Sequence, residues 1–151
     1  MSPALYPSPL GPLAATFDGE ALVSLRFVDA PADAQTQSPA DALKAWLDTY
    51  FSGHEPPASP PLDLRGTGFQ RRVWHELLKI PYGSTVSYGE LARRTGCRSA
   101  QAVGQAVGRN PVAILVPCHR VVGKTSLGGY AYGLHIKKQL LDIERQSQRA
   151  Q

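Results

Sequence analysis

A proline-rich segment near the middle of the chain limits the fold most strongly. Residues 54–66 contain four prolines: Pro56, Pro57, Pro60 and Pro61. Proline cannot donate a backbone hydrogen bond and clashes with the preceding turn of a helix, so no helix or central strand can run through this segment. We therefore predict a small N-terminal domain that ends in a linker, residues 1–66, and a second domain, residues 67–151.

The charge of the chain changes at the same boundary. Residues 1–66 hold three Lys or Arg against eight Asp or Glu, a net of −5, whereas residues 67–151 hold thirteen against four, a net of +9. A domain this basic suits a polyanion partner, because phosphate contacts can supply much of the affinity. A well-solvated basic surface would have the same composition, so charge alone leaves both interpretations open.

The composition also excludes several classes of protein. The 151 residues, 42% of them hydrophobic, suffice for one ordinary domain or one with a small appendage. No apolar run approaches the roughly 18 residues of a membrane span, and the first residues do not resemble a signal peptide. Two cysteines, Cys97 and Cys118, give no disulfide framework. We expect a cytoplasmic, nucleoid-associated protein, or a nuclear one in a eukaryote, with both thiols reduced.

The first domain is predicted to begin with a β-hairpin. Two apolar runs, residues 13–17 and 21–28, flank Asp18-Gly19, a dipeptide typical of a two-residue turn. A loop over residues 30–37, rich in proline and small polar residues, follows the second run.

A helix is predicted after this loop. Ser38 can serve as its N-cap with Pro39 in the first helical position, and Gly53 ends it. Its apolar residues recur at helical spacing and predict one buried face: Leu43, Trp46, Leu47, Tyr50 and Phe51.

The second domain is predicted to be mostly helical. Thr67 and Gln70 form a capping-box pattern for a first helix, which Pro81 ends. Ser87 and Glu90 repeat that pattern for a short helix over residues 88–95. A final helix carries a further apolar stripe that ends in an acidic residue: Ile136, Leu140, Leu141, Ile143 and Glu144.

Another helix begins at Ser99 and reaches about Gly108, so that with residues 88–95 it indicates a helix-turn-helix. Val103 and Val107 can face the core, which leaves Gln101, Gln105 and Gly108 on the opposite face. Its two internal glycines each cost roughly 1 kcal/mol of helix propensity. Close approach of a partner's backbone would compensate for that cost, and so would tight packing between helices.

A short apolar run, residues 112–116, predicts a buried extended segment that ends at Pro117-Cys118-His119-Arg120. Positive neighbours lower the pKa of a thiol, and the thiolate is the reactive form, so Cys118 is a candidate nucleophile. A core cysteine beside a surface histidine would give the same sequence, because adjacent strand residues point to opposite faces. The cysteines and histidines lack the spacing of a zinc site, so we expect no metal.

The sequence around Cys118 resembles the active-site motif of the O6-alkylguanine-DNA alkyltransferases. That motif is Ile114-Leu115-Val116-Pro117-Cys118-His119-Arg120-Val121-Val122. The resemblance continues through Pro81-Tyr82-Gly83, Val86-Ser87-Tyr88, Ala102-Val103-Gly104, Gly108-Arg109-Asn110-Pro111, Gly129-Tyr130, Gly133-Leu134 and Leu140-Leu141-Asp142-Ile143-Glu144. It spans residues 66–144 in consistent order, whereas the first domain resembles the family only in its strand-then-helix layout.

The resemblance implies a role for five residues in catalysis. Cys118 matches the acceptor thiol, His119 the base that reaches it through a water, and Glu144 the carboxylate that orients the histidine. Tyr88 matches the tyrosine that protonates or hydrogen-bonds guanine N3. Asn110 matches the residue that ties the recognition helix to the active site.

The resemblance also implies that the damaged base leaves the DNA stack and enters a pocket. The residues expected at this pocket are Val107, Val121, Tyr130, Ala131 and Tyr132, with backbone groups of Val121 and Ala131 holding the guanine edge. The recognition helix is expected in the minor groove, where the DNA-binding residues are Arg98, Gln101, Ala102, Gly104, Gln105, Arg109 and Arg120.

The implied fold is α+β, with a small strand-and-helix domain before a mostly helical domain that holds a winged-helix-like helix-turn-helix. The implied activity is irreversible transfer of an alkyl group from O6-alkylguanine in double-stranded DNA to Cys118, once per molecule. We expect a monomer that uses no cofactor. Some relatives hold zinc in the first domain, but this one has no cysteine there, so we expect none.

The sequence departs from the family's pattern at three places. Gln101 stands where most relatives have an arginine that fills the space left by the flipped base, and it lacks the charge and stacking plane of that residue; Arg98 or Arg94 could substitute. Tyr132 stands where many relatives carry a small residue beside the pocket. The loop over residues 123–129 is slightly short.

Three other functions are open to such a chain. A damage-binding relative would flip alkylguanine without repairing it, but such proteins replace the acceptor cysteine, which this chain retains at Cys118. A helix-turn-helix regulator would read the major groove with long side chains, which residues 100–108 lack. A thiol hydrolase would need a water path to an acyl-enzyme.

Overall fold

The computed structural model describes residues 3–29 and 40–149 and divides the chain into two compact units. The first unit comprises residues 1–64 together with 111–113, and the second comprises residues 65–110 and 114–151. The division falls two residues before the predicted boundary at residue 66. The return of residues 111–113 to the first unit was not predicted, because it depends on two backbone hydrogen bonds of Leu25, with the carbonyl of Pro111 and the N–H of Ala113.

The first unit is built on a three-stranded antiparallel sheet of order β1-β2-β3: Ala4–Ser8, Gly11–Asp18 and Ala21–Phe27. The predicted hairpin is β2–β3, with Asp18 paired to Ala21. Its two loop residues are Gly19 and Glu20, one position later than predicted, and Gly19 takes the left-handed conformation at φ 62°. Strand β1 was not predicted, since Pro7 interrupts its apolar pattern; it lies at a sheet edge, where proline is tolerated.

The helix of the first unit, α1, covers Asp41–Phe51. Its N-cap is Ala40, which provides no side-chain hydrogen bond. The predicted start, with Ser38 as N-cap and Pro39 in the first helical position, is therefore wrong. Both of these residues and the predicted loop over residues 30–37 lie outside the described part of the chain. The buried face is as predicted at Leu43, Trp46, Leu47 and Tyr50, whereas Phe51 is only half-buried. The predicted linker, residues 54–66, holds neither a helix nor a strand of several residues, and only Leu62 makes a single bridge, to Leu22.

The second unit is mostly helical, as predicted. Its elements are α2 Gly68–Leu77, β4 Val86–Ser87, α3 Tyr88–Arg94, α4 Ala100–Gly108, a 3-10 turn at Cys118–Arg120, β5 Val121–Val122 and α5 Leu134–Arg149. Strands β4 and β5 pair in parallel. Helices α3 and α4 form the predicted helix-turn-helix pair.

Side-chain caps set the start of three helices, as the sequence predicts. Thr67 Oγ1 accepts from the N–H of Gln70 at 3.1 Å, and the Gln70 side chain accepts from the N–H of Thr67 at 3.0 Å. Ser87 caps α3 and Ser99 caps α4. Helix α2 ends at Leu77, before the predicted stop at Pro81, because the N–H groups of Lys79 and Ile80 bond to carbonyls three residues earlier and not four.

The apolar run at residues 112–116 is buried, but the prediction of an extended segment is wrong. Its backbone turns, and Ile114 has a φ of 72°, which is unfavourable for a β-branched residue. The carbonyl of Val116 accepts from Asn110 Nδ2 at 2.7 Å and from the N–H of Cys118 at 2.8 Å. A continuous apolar run indicates burial without distinguishing strand from turn, so the sequence could not reveal this bend.

None of the helices in the described ranges is long and apolar enough to cross a membrane.

Candidate active site

Cys118 begins the 3-10 turn and is 5% exposed. Asn110, one residue after the C-cap of α4, donates Nδ2 to the carbonyl of Val116 and also hydrogen-bonds the Cys118 sulfur. The end of the recognition helix is therefore joined directly to the segment that presents the thiol. This is the connection expected for Asn110.

The electrostatic environment of Cys118 differs from the sequence expectation. Burial raises the pKa of the thiol above its usual value, and it outweighs the lowering by Asn110, by the Lys137 charge and by the backbone N–H groups of the turn. Its neighbours do lower the pKa, as expected, but the net effect is the opposite of the expected one, because loss of hydration disfavours the thiolate more than they favour it. Cys118 rests as a thiol, and its reaction requires a base.

His119 supplies a base beside the thiol. His119 is fully buried, and its Nε2 lies 2.6 Å from Glu144 Oε2, on α5. Burial is the largest cause that lowers the pKa of His119, and it outweighs the opposing effect of Glu144. The imidazole is neutral at pH 7, with Nε2 donating to the carboxylate, so it can accept a proton at Nδ1.

Glu144 is 1% exposed and remains ionised. Burial alone would raise its pKa, but hydrogen bonds from His119 and Arg120, together with the Arg120 charge, lower it to about 2. Its Oε1 accepts from Arg120 Nε at 2.8 Å and from the N–H of Gly83 at 3.0 Å. The predicted pairing of His119 with Glu144 is thus present and supported by two further donors.

The DNA-contact prediction for Arg120 is wrong. This side chain is 8% exposed, it pairs with Glu144, and its Nη1 donates to the carbonyl of Ile80 at 2.8 Å. Its guanidinium also lies over the Tyr82 ring, 5.6 Å from the centroid. The sequence motif could not reveal that Arg120 is buried. Side chains alternate between two faces in a strand, which would direct Arg120 outward, but this rule does not hold for a 3-10 turn.

A cavity of about 250 Å³ opens in front of the Cys118 thiol. It is lined by Tyr88, Gly104, Val107, Gly108, Cys118, Gly129, Tyr130 and Ala131. Three of the five predicted pocket residues are among them: Val107, Tyr130 and Ala131. Glycines on α4 and on the loop before α5 form part of the wall, so backbone is accessible to a bound base.

Val121 and Tyr132 do not line this cavity. Val121 is buried, and its carbonyl accepts from Lys137 Nζ at 2.6 Å. Tyr132 packs edge-on against Tyr130, with ring centroids 5.5 Å apart. Tyr132 therefore contacts a residue of the wall and is not part of the wall itself, which corrects the sequence-based placement of both residues.

Tyr88 stands on the cavity wall, against the loop before α5. Its hydroxyl donates to the carbonyl of Gly129 at 3.4 Å, a long hydrogen bond. Burial raises the pKa of Tyr88 and outweighs the lowering by the backbone of Gly129, so the hydroxyl keeps its proton. A phenol held neutral in a cavity can donate to a ring nitrogen of a bound base.

Lys137 is a site residue that the sequence analysis missed. Its ammonium donates to the carbonyl of Val121 and, at 2.8 Å, to that of Gly129, and burial lowers its pKa to about 8. A signal was present in the sequence, because Lys137 lies in the same helical stripe as Leu140, Leu141 and Glu144. A lysine at such a position is buried and needs acceptors.

The other predicted DNA-binding residues lie on or beside α4. Gln101, Gln105, Arg98 and Arg109 are exposed, and Ala102 and Gly104 are half-buried. Val103, Ala106 and Val107 form the buried face. The Trp74 indole N–H donates to the carbonyl of Ala106 at 2.8 Å and so ties α4 to α2.

Comparison with known proteins gives the same assignment over both units. Residues 68–146 match the family described as "6-O-methylguanine DNA methyltransferase, DNA binding domain", and residues 1–64 match its "ribonuclease-like domain". The chain is 45% identical to the methylated-DNA–protein-cysteine methyltransferase of Mycobacterium leprae and 44% identical to that of Mycobacterium tuberculosis, covering 91% of this chain and 88% of each relative.

A solved structure shares the fold along almost the whole chain. The crystal structure of Mycobacterium tuberculosis OGT in complex with DNA superposes with a TM-score of 0.88 at 42% identity, covering 97% of this chain and 94% of that one. The α+β fold expected from the sequence is thereby confirmed. The chain belongs to the 6-O-methylguanine DNA methyltransferase family.

Proposed function

We propose that the protein repairs DNA by transferring the alkyl group of O6-alkylguanine to Cys118. The observation that carries this proposal is a cysteine on the wall of a base-sized cavity, followed by a buried histidine that is paired with a carboxylate. The matching relatives are named methylated-DNA–protein-cysteine methyltransferases, which is the same reaction.

The reaction begins with loss of the thiol proton. His119 accepts this proton, through a water in the scheme that the family resemblance implies, and becomes an imidazolium stabilised by Glu144. The sulfur electron pair then forms a bond to the alkyl carbon while the bond between that carbon and O6 breaks. Tyr88 transfers its proton to N3 as that bond breaks, so that the purine leaves as neutral guanine, and the resulting phenolate then takes up a proton from solvent.

The transfer is irreversible and consumes the protein. The product is a thioether, whose sulfur is a poor leaving group for the reverse attack. Cys97 cannot regenerate the acceptor, because a second thiol cleaves a disulfide but not a thioether. Each molecule therefore repairs one lesion.

The damaged base reaches the cavity by leaving the duplex. Helix α4 lines the cavity with Gly104, Val107 and Gly108 and presents Gln101 and Gln105 outward. The same helix therefore contacts the minor groove and borders the base. Arg98 and Arg109, at its two ends, are placed to contact phosphates. The site of action is the compartment that holds the DNA, the cytoplasmic nucleoid in a prokaryote.

A damage sensor that binds alkylguanine without repair is the second candidate, favoured only by the replacement of an arginine by Gln101. The intact Cys118, with its base and carboxylate, argues against it.

Intact-mass measurement distinguishes the two functions. The protein is incubated with a duplex oligonucleotide that contains O6-methylguanine, with the same duplex carrying unmodified guanine as control. We expect one added methyl group, located on the peptide that contains Cys118, from the damaged duplex alone. An unchanged mass in the presence of bound damaged DNA would identify a sensor, and methylation at Cys97 would refute the assignment.

A further inference from the structure

Arg120 is a buried cation inside the active site, and the reaction described above gives it no role. Its guanidinium is held from three directions: Nε by Glu144 Oε1 at 2.8 Å, Nη1 by the carbonyl of Ile80 at 2.8 Å, and one face by the Tyr82 ring. A guanidinium fixed in this way is rigid, because each contact uses a different part of its planar fork.

The two carboxylate oxygens of Glu144 have different hydrogen-bond partners. Oε2 faces His119 Nε2 at 2.6 Å, while Oε1 receives Arg120 Nε and the N–H of Gly83. Rotation of the carboxylate about its last bond would break all three contacts. The orientation of the oxygen that faces His119 is therefore set by the donors on the other oxygen.

We propose that Arg120 is a positioning residue of the proton relay, which fixes the Glu144 carboxylate so that His119 can accept the thiol proton at its second nitrogen. Arg120 touches neither the base nor the reacting atoms, and it acts through Glu144. The inference rests on the proposed alkyl transfer, because the relay matters only if Cys118 must lose a proton.

Arg120 also changes how readily His119 takes up a proton. The charged or titratable groups near His119 are Glu144 and Lys137 on α5, together with Arg120 and Cys118 on its own turn. The positive charges of Arg120 and Lys137 lower the pKa of His119, whereas Glu144 raises it. Removing the Arg120 charge therefore raises the pKa of His119, so the histidine is protonated, and unable to act as a base, up to a higher pH.

The test uses the full chain, wild type and Arg120→Met, with free O6-benzylguanine as a probe that needs no DNA. Single-turnover rates are measured from acid to neutral pH, and affinity for an undamaged duplex is measured in parallel. We expect the Arg120→Met rate to fall roughly tenfold to a hundredfold, as for a displaced catalytic group. We expect the acid side of its pH profile to move to higher pH, and DNA affinity to stay unchanged.

Two further variants keep the test decisive. Arg120→Lys retains the positive charge but lacks the guanidinium that contacts both Glu144 and Ile80. It should therefore lower the rate while leaving the acid side of the pH–rate profile in place. It also replaces Arg120→Met in the test if that variant does not fold. Arg145→Met removes an exposed arginine one residue after Glu144 and should match wild type in both rate and profile.

Each outcome addresses one proposal. If wild type transfers neither the benzyl group of the free base nor the methyl group of an O6-methylguanine duplex, the proposed alkyl transfer is refuted. If it reacts with the duplex alone, the variants are compared on that substrate. If wild type reacts and Arg120→Met has the same rate and profile, the positioning role is wrong. If Arg120→Met binds DNA more weakly but reacts with the free base at the wild-type rate, Arg120 contacts DNA and does not position Glu144.

Discussion

The two units of the molecule differ in what they bury. Within residues 3–29 and 40–149, every buried Lys, Arg, His, Glu, Asn or Thr side chain belongs to the second unit: Thr95, Asn110, His119, Arg120, Lys137 and Glu144. The described core of the first unit is aliphatic and aromatic, with Leu13, Leu22, Leu25, Leu43 and Leu47 at 0% exposure. One unit is stabilised by apolar burial, whereas the other also carries desolvated charges.

Burying a charge is unfavourable unless a partner compensates for it, so such groups persist where they have a use. In the second unit the compensation is local, because Glu144 pairs with His119 and Arg120, and Lys137 with two carbonyls. The charged groups that can do chemistry are therefore buried in the second unit, whereas both units have an apolar core.

The largest effect should come from the nucleophile. We expect Cys118→Ala to abolish alkyl transfer completely while leaving DNA affinity nearly unchanged, because phosphate contacts dominate binding. Transfer is measured by the mass of the protein after incubation with O6-methylguanine duplex, and binding by titration at several salt concentrations. Cys97→Ala is the matched control and should transfer normally; residual transfer by Cys118→Ala would overturn the assignment.

Glu144→Gln should slow transfer by roughly 100-fold without changing DNA affinity. The amide removes the charge that stabilises the imidazolium and leaves Arg120 buried without its counterion, so the loss exceeds that of one hydrogen bond. Single-turnover kinetics on duplex and free-base substrates measure this. An equal loss on both substrates is expected, and a loss confined to the duplex would instead place Glu144 in DNA binding.

Acid titration should separate the two units by stability. Leu13→Ala in the first unit is expected to lower the free energy of unfolding by about 2–5 kcal/mol, equally at pH 7 and pH 3. The pKa of Glu144 is about 2 in the folded protein, below its ordinary value of 4.5, so its contribution is present above pH 4.5 and is lost as pH falls towards 2. The cost of Glu144→Gln should therefore shrink at pH 3.

Urea unfolding of wild type and both variants at the two pH values measures these costs. The distinction between the units would be contradicted if the loss in free energy of unfolding depended on pH for Leu13→Ala. It would also be contradicted if that loss were the same at both pH values for Glu144→Gln.

The smallest expected effect concerns the exposed face of α4. Gln101→Arg adds a cation and a planar surface at the residue expected to fill the vacated stack, a gain of about 1 kcal/mol or roughly fivefold in rate on duplex DNA. Single-stranded substrate should show little change, because no partner base is left unpaired. Gln105→Arg, one turn further, adds the same charge elsewhere and should tighten binding without this duplex-specific gain. An unchanged duplex rate for Gln101→Arg would point to Arg98 as the filling residue.

Much of the second unit could be predicted because its signals are local. The caps at Thr67, Ser87 and Ser99 fix where helices begin, and the apolar spacing of α5 identifies its buried stripe. The motif around Cys118 then places the thiol beside His119, and Glu144 follows from the resemblance.

What escaped prediction depends on contacts between distant residues. The burial of Arg120 requires the carbonyl of Ile80, forty residues earlier. Val121 is turned from the cavity because Lys137 binds its carbonyl, and the elevated pKa of Cys118 follows from the enclosure of the whole site. A sequence pattern records periodicity and charge, but not which buried charge faces which acceptor.

Ile114 has a consequence for redesign of this protein. A β-branched residue in the left-handed region costs on the order of 1–3 kcal/mol, and here it lies four residues before the acceptor, at 1% exposure. Ile114→Gly would relieve the backbone strain at this position. The same substitution would also remove a buried side chain from the core. Burial of the Ile114 side chain therefore offsets the unfavourable backbone conformation and maintains the bend. Stabilising substitutions at residue 114 therefore need to be screened for the placement of Cys118, and not for melting temperature alone.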